Sequence, residues 1–162
     1  MTTYTDLPAV PLPPGHFVSD APELVDIERV HHWLSTDAYW ALGRSLEKQR
    51  AAAAASLNFG VYEDVADEAG TPSREAGARR EQRAYARVVT DHATFAWLCD
   101  VYVPRESRGR GFAKALLAAV RARMEEDGVR RVLLVTSTAQ ELYRSVGYDE
   151  VERGKWMILP LA

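Results

Sequence analysis

The sequence predicts a mixed α/β fold, with a mostly antiparallel central sheet of about seven strands flanked by helices. Two observations carry that prediction. RAYARVVT and ATFAWLCDVYV are extended apolar runs joined by a short polar turn at Asp91–His92, the pattern of an antiparallel hairpin. Immediately afterwards one strand–loop–helix–strand passage, from AWLCDVYV to VRRVLLVTS, requires a crossover of the kind that joins parallel strands.

Taken in order, the chain opens with a lead-in, residues 1–14, that holds half of the eight prolines and reads as a flexible arm. GHFVSD reads as a short strand, and Glu23 to Leu34 as a helix, with Leu24, Ile27 and Val30 at helical spacing. A further short helix through DAYWALG is expected after a cap at Thr36 or Asp37. Residues 44–56 are alanine-rich and form the strongest intrinsic helix. LNFGVYED alternates as a strand. Residues 63–82 run from acidic to basic with few bulky apolar side chains, and read as a long hairpin tip. The hairpin strands and the crossover follow, with the helix from about Gly111 to Asp127. A short helix AQELYRSVG and strands near YDEVE and KWMIL close the chain.

A length of 162 residues suits a single domain, residues 1–162. The net charge of −3 gives no bulk attraction to nucleic acid or membrane, so any anion binding must be local. No stretch approaches the length of a membrane span, and the N-terminus lacks the basic and apolar regions of a secretory signal. A cytoplasmic location is the default expectation. The single cysteine, Cys99, excludes an internal disulfide and reads as a buried thiol. No histidine or carboxylate spacing suggests a metal site.

Residues 101–120, VYVPRESRGRGFAKALLAAV, concentrate the functional signal. Phe112, Leu116, Val120 and Met124 recur every four residues and mark the buried face of a helix that begins at the glycines. The first N–H groups of a helix lack intrahelical acceptors and sit at the positive end of its dipole. Gly109 and Gly111 let a ligand approach that backbone, and Arg108 and Arg110 add positive charge. The spacing fits neither common phosphate loop: the third glycine of GxGxxG is Lys114 here, and GxxxxGK[ST] is absent.

What remains is R-x-x-G-x-A, formed by Arg108, Gly111 and Ala113 between a strand and a helix. This resembles the acyl-CoA loop of the GNAT superfamily of N-acetyltransferases. ELYRSVGYDEV resembles the Leu-Tyr-x-x-x-Gly-Phe element of the same superfamily, with Tyr148 as the aromatic. SLNFGVY…ARVVTDHATFAWLCDVYV is similar to a bacterial branch of it.

The resemblance implies a sheet splayed between its fourth and fifth strands, acetyl-CoA as co-substrate with no metal, and transfer by direct attack in a ternary complex. It implies that the backbone of Val101, Tyr102 and Val103 pairs with the pantetheine arm. It further implies that the N–H groups of Arg108, Gly109, Arg110, Gly111, Phe112 and Ala113 hold the pyrophosphate. Arg110 and Lys114 either reach further phosphate oxygens or stand as solvated cations. Tyr143 matches the superfamily's general acid. Trp40, with Trp33 and Tyr39, lies in the helical region that covers the acceptor, either as wall or as core. Where many members carry asparagine after the fifth strand, this chain has Thr136, Ser137 and Thr138.

Asp100 is a carboxylate inside an apolar strand. Burial would raise its pKa towards that of a useful base, and it could also orient a cationic amine; bonding at a strand bulge is the competing account. The expected partner is a small-molecule or peptide amine, with nucleic acid and membrane excluded and a homodimer left open. The alternative is a sensor that binds acyl-CoA without turnover.

Overall fold

The structure is a computed structural model that describes residues 10–65 and 79–160. Residues 1–9 of the expected arm and residues 66–78 of the expected hairpin tip lie outside the described residues. The elements run β1 (His16–Ser19), α1 (Ile27–Asp37), α2 (Leu46–Ala54), β2 (Leu57–Asp64), β3 (Arg80–Thr90), β4 (Ala96–Tyr102), α3 (Phe112–Glu126), β5 (Val132–Leu133) and α4 (Gln140–Ser145). One sheet contains all five strands in chain order. The first three pairings are antiparallel, and β4 pairs with β5 in parallel, as the intervening helix requires.

Among the described residues the sheet is mixed and has five strands, not the expected seven. YDEVE and KWMIL form no strands: residues 149–160 are exposed and pair with no strand among the described residues. β5 is itself only two residues long, which leaves little ladder for a further strand to extend. The helix expected from Glu23 divides into a 3-10 turn, Pro22–Leu24, and α1, because Val25 is extended and Asp26 starts the helix anew. The Asp26 carboxylate caps it by accepting the Arg29 N–H at 3.0 Å. DAYWALG is not a helix. It is a series of turns in which the Gly43 N–H reaches back to the Ser35 carbonyl at 3.0 Å. β3 starts three residues earlier than the sequence suggests, pinned to β2 by Arg80–Asp64 at 3.2 Å and Arg83–Glu63 at 2.7 Å. Residues 10–14 are not a free arm either, since Leu12 packs against the core.

α3 covers one face of the sheet, where Phe112, Leu116 and Val120 meet Phe59, Val61 and Val88. α1 covers part of the other, where Val30 and Leu34 meet Tyr85 and Tyr102. Among the described residues no helix is long and apolar enough to cross a membrane.

One irregularity decides where the site forms. Arg87 opposes Cys99, but Tyr85 opposes Tyr102, so β4 carries one extra residue between them. Asp100, within this bulge, has φ 53°, left-handed backbone that aspartate tolerates better than most residues. The bulge inverts the alternation of β4. Ala96 and Leu98 face α3 before it, whereas Val101 and Val103 do so after it. Asp100 and Tyr102 are thereby turned to the α1 side.

Candidate active site

β4 and β5 pair only through Ala96 with Val132 and Trp97 with Leu133. Beyond that point β4 runs on to Tyr102 while β5 ends, and the two edges part. A cleft of about 1120 Å³ occupies the gap. Its walls are residues 97–103 of β4 and its continuation, Val135 to Ala139 after β5, Tyr143 of α4, the start of α3, and Tyr39 and Trp40 from the loop between α1 and α2.

At one end lies the glycine loop. Gly109 and Gly111 have φ of 74° and 82°, so the two positions that the sequence marks as permissive are those where the backbone turns left-handed. Gly111 is the N-cap residue of α3, which has no side-chain cap. The N–H groups of its first turn are therefore available to an anion. The donor set begins one residue later than the sequence suggests. The Arg108 N–H donates to the Arg105 carbonyl at 3.3 Å, and its Nε donates to the Val103 carbonyl at 3.0 Å. Arg108 thus ties the loop to the end of β4 rather than facing the cradle. Arg110 lies over the Phe112 ring, 5.1 Å from its centroid, and Lys114 is exposed on the cleft wall. Val10 and the Pro11 carbonyl lie beside Gly111, so the chain entering β1 borders the same loop.

Two expected cofactor-binding residues offer only backbone. Phe112 is 1% exposed within the α3-side core. The Tyr102 ring packs against Trp33, and its hydroxyl donates to Asp37 Oδ2 at 2.9 Å. Val101 and Val103 keep their side chains against the core and line the cleft along β4.

The other end is organised by Asp100, whose side chain is 1% exposed. Arg44 Nη1 donates to its Oδ2 at 2.7 Å and Arg44 Nη2 to its Oδ1 at 3.1 Å, a two-pronged fork. Arg87 Nε donates to Oδ2 at 2.9 Å, and Trp40 Nε1 to Oδ1 at 3.1 Å. Burial alone pushes this carboxyl up, but the Arg44 hydrogen bonds and the adjacent Arg87 charge outweigh it and hold the pKa below the ordinary carboxylate value. The expectation that burial would make Asp100 a base is therefore corrected. The bulge is present, yet the residue is bonded to side chains rather than to backbone.

Arg44 and Arg87 are functional candidates that sequence reasoning missed. Arg87 carried a signal of the same kind as Asp100, a charge at an inward position of the apolar run AYARVV. Arg44 carried none, since an arginine after a glycine turn is unremarkable on its own. Arg44 is further held by Gln49 Oε1 at 2.8 Å, and its carbonyl meets His31 Nε2 at 2.8 Å.

Tyr143 lines the cleft from α4. It packs edge-on to Tyr148 at 5.6 Å and against the core. Burial, with Tyr39 nearby, pushes its phenol up to about 12, so it stays protonated at neutral pH. Tyr39 reaches across the cleft, where its hydroxyl accepts the Ser137 N–H at 3.1 Å. That hydrogen bond pulls the Tyr39 pKa down. Trp40 is 44% exposed and lines the cleft while bonding Asp100, which places it as wall rather than core. Cys99 is half-buried on the same wall, its thiol pushed up to about 11 chiefly by burial. Asp91 and His92 are turn formers: the Asp91 carboxylate accepts the N–H groups of Ala93, Thr94 and Phe95. Among the described residues no group of three or more His, Cys, Asp or Glu could hold a metal ion.

Comparison with known proteins gives concordant results. Residues 65–150 match the family model described as an acetyltransferase (GNAT) domain. A Gibberella zeae protein provisionally named as an acetyltransferase is 30% identical over 133 residues, covering 79% of this chain and 75% of its own. A crystal structure of a provisionally assigned GNAT-family acetyltransferase from Xanthomonas campestris pv. campestris is 36% identical. It superposes with a TM-score of 0.74 over 92% of this chain and 94% of that one. The ribosomal-protein-S18-alanine N-acetyltransferase of Escherichia coli shares the fold at 21% identity, with a TM-score of 0.61 over 85% of this chain and 79% of its own.

Proposed function

The chain belongs to the GNAT acetyltransferase family, and from that premise we propose that it moves an acetyl group from acetyl-CoA to a primary amine by direct attack in a ternary complex. One observation carries the reading. Among the described residues β4 pairs with β5 only through Ala96 and Trp97, and its open edge, the uncapped start of α3 and Tyr143 line one cleft.

The residues divide the work along the cleft. Acetyl-CoA supplies the thioester carbonyl that the amine attacks. The N–H groups from Gly109 to Ala113 hold its pyrophosphate, and Lys114, exposed on the cleft wall, meets a further phosphate oxygen. The edge of β4 at Val101 and Val103 offers backbone groups to an extended arm, as an added strand would. As the amine nitrogen bonds to the carbonyl carbon, the carbon–sulfur bond breaks and the sulfur must acquire a proton. Tyr143 holds its proton throughout the neutral range and donates it there. The attacking nitrogen releases its proton to water in the open cleft, since Asp100 is too firmly bound by two guanidiniums to take it. Asp100 is instead a positioning residue that fixes Arg44, Arg87 and Trp40 on the acceptor side of the bulge.

Amine-dependent release of the CoA thiol tests the proposal. Tyr143→Phe keeps the ring packing on Tyr148 and removes the proton donor. It is expected to lower kcat by roughly 10²- to 10⁴-fold, the range for a lost acid–base group. Undiminished turnover in that variant would remove Tyr143 from the reaction. Tight binding of acetyl-CoA with no transfer to any amine would favour a sensor instead.

A further inference from the structure

Five cations line the cleft, Arg44, Arg87, Arg105, Arg108 and Lys114, against two carboxylates, Asp37 and Asp100, in a chain whose net charge is −3. The two carboxylates are fully engaged. Asp37 takes Arg105 at 2.6 Å, Arg108 at 3.6 Å and the Tyr102 hydroxyl at 2.9 Å. Asp100 is shared by two guanidiniums at once.

The acceptor end therefore holds two arginines and one compensating carboxylate, in a wall otherwise built from Tyr39, Trp40, Val89 and Trp97. Both arginine side chains are largely withdrawn from water, at 16% and 13% exposure. Neither uses all its donors. Among the described residues Arg87 Nη2 and Arg44 Nε have no protein partner, since Arg87 gives only Nε to Asp100 and Nη1 to Ser56 Oγ. A half-buried guanidinium with spare N–H groups and an unmatched positive charge is the arrangement that selects a carboxylate.

We infer that the acceptor is an amino carboxylate: the surplus charge of the Arg44–Asp100–Arg87 trio binds the carboxylate of a substrate whose amine is acetylated. This deepens the proposed acetyl transfer and rests on it. The same charge does a second service. A positive surround disfavours a bound ammonium, so the acceptor enters as the neutral nucleophile in a site where Asp100 is no base. Simple polyamines and other multiply cationic acceptors are disfavoured on the same grounds.

The test is kcat/KM for matched acceptors: glycine, β-alanine, alanine and phenylalanine, each against its amide and its decarboxylated amine. Short peptides beginning with glutamate separate a peptide source of the carboxylate from a free amino acid. Rates are compared at one pH near neutrality and expressed per unprotonated fraction of each amine, so that differences in ionisation are removed. Wild type is expected to favour the carboxylates by roughly tenfold to a hundredfold, the span for a charge-assisted hydrogen bond, and to do so through KM. In Arg87→Gln that preference is expected to fall to near parity, with Arg87→Lys recovering part of it, while thermal stabilisation by acetyl-CoA is unchanged. The wild-type panel decides the matter even if a variant folds poorly. Equal use of acids and amides, or a preference for polyamines, overturns the inference while leaving acetyl transfer standing. Failure of acetyl-CoA to bind at all overturns the underlying reading first, and is seen in the stability measurement before any amine is added.

Discussion

Replacing Asp100 by asparagine removes one charge and almost no volume, and tolerance of the left-handed φ of 53° is retained. What changes is the compensation of two guanidiniums. Asp100 is 1% exposed and accepts four hydrogen bonds, three of them from arginine. Removing one partner of a buried ion pair costs about 3–5 kcal/mol, because the remaining charge stays buried and unpaired. Arg44 and Arg87 reach the cleft at 16% and 13% exposure, and water can relieve part of that cost. The expected loss is therefore at the lower end, about 3 kcal/mol, a large share of a stability of roughly 5–15 kcal/mol. For a chain of this length that is a fall in Tm of about 6–12 °C.

The pH dependence separates this account from a mere packing defect. The folded pKa of Asp100 lies below its unfolded value, so its contribution is complete above the ordinary carboxylate range and is lost as pH falls through the folded value. The gap between wild type and Asp100→Asn should be full at neutral pH and close progressively below about pH 4. Urea denaturation across that range provides the measurement. Arg50→Ala serves as control: the Arg50–Glu28 pair is exposed, and its loss should cost no more than about 1 kcal/mol. A gap near that of the control, or one independent of pH, would refute the reasoning.

Other consequences follow from the same geometry. A Cβ at Gly60 would lie 2.5 Å from the ring of Tyr62, which is 1% exposed, so Gly60→Ala should destabilise by about 1–3 kcal/mol in thermal or urea unfolding. The Cys99 thiol, pushed up to about 11 by burial, should be alkylated by iodoacetamide at neutral pH roughly a hundredfold more slowly than a free cysteine, as read by mass spectrometry. Reaction at the rate of a free thiol would contradict its placement.

Some features could be read in the sequence because they are local. The glycine loop, the start of α3 and its buried stripe need only neighbours within a few residues, and the structure has them where the spacing put them. Asp100 announced itself as a charge among apolar neighbours. Its meaning did not, because meaning came from partners 56 and 13 residues away. Arg44 reaches Asp100 only because DAYWALG is turns instead of a helix, a choice set by tertiary packing over propensity. The β4 bulge was equally hidden in its effect: one extra residue inverts which side chains face α3, and alternation read from sequence assumes that none is inserted. The two final strands were overestimated for a related reason. Alternation in YDEVE and KWMIL states what a strand would bury, but a strand also needs a partner edge.

The most direct test of the central claim is the thermal midpoint with acetyl-CoA and with CoA, using ATP and NADH as controls, in wild type and in Gly111→Trp. A ligand at about a hundred times its Kd adds roughly 2.7 kcal/mol. In a chain of this size that is a shift of about 5–11 °C. Only the CoA species are expected to stabilise the wild type, while the variant, with a bulky side chain at the cradle, folds but does not respond. No shift with acetyl-CoA at saturating concentration would contradict it, and SRGRG would then be a basic turn with no ligand.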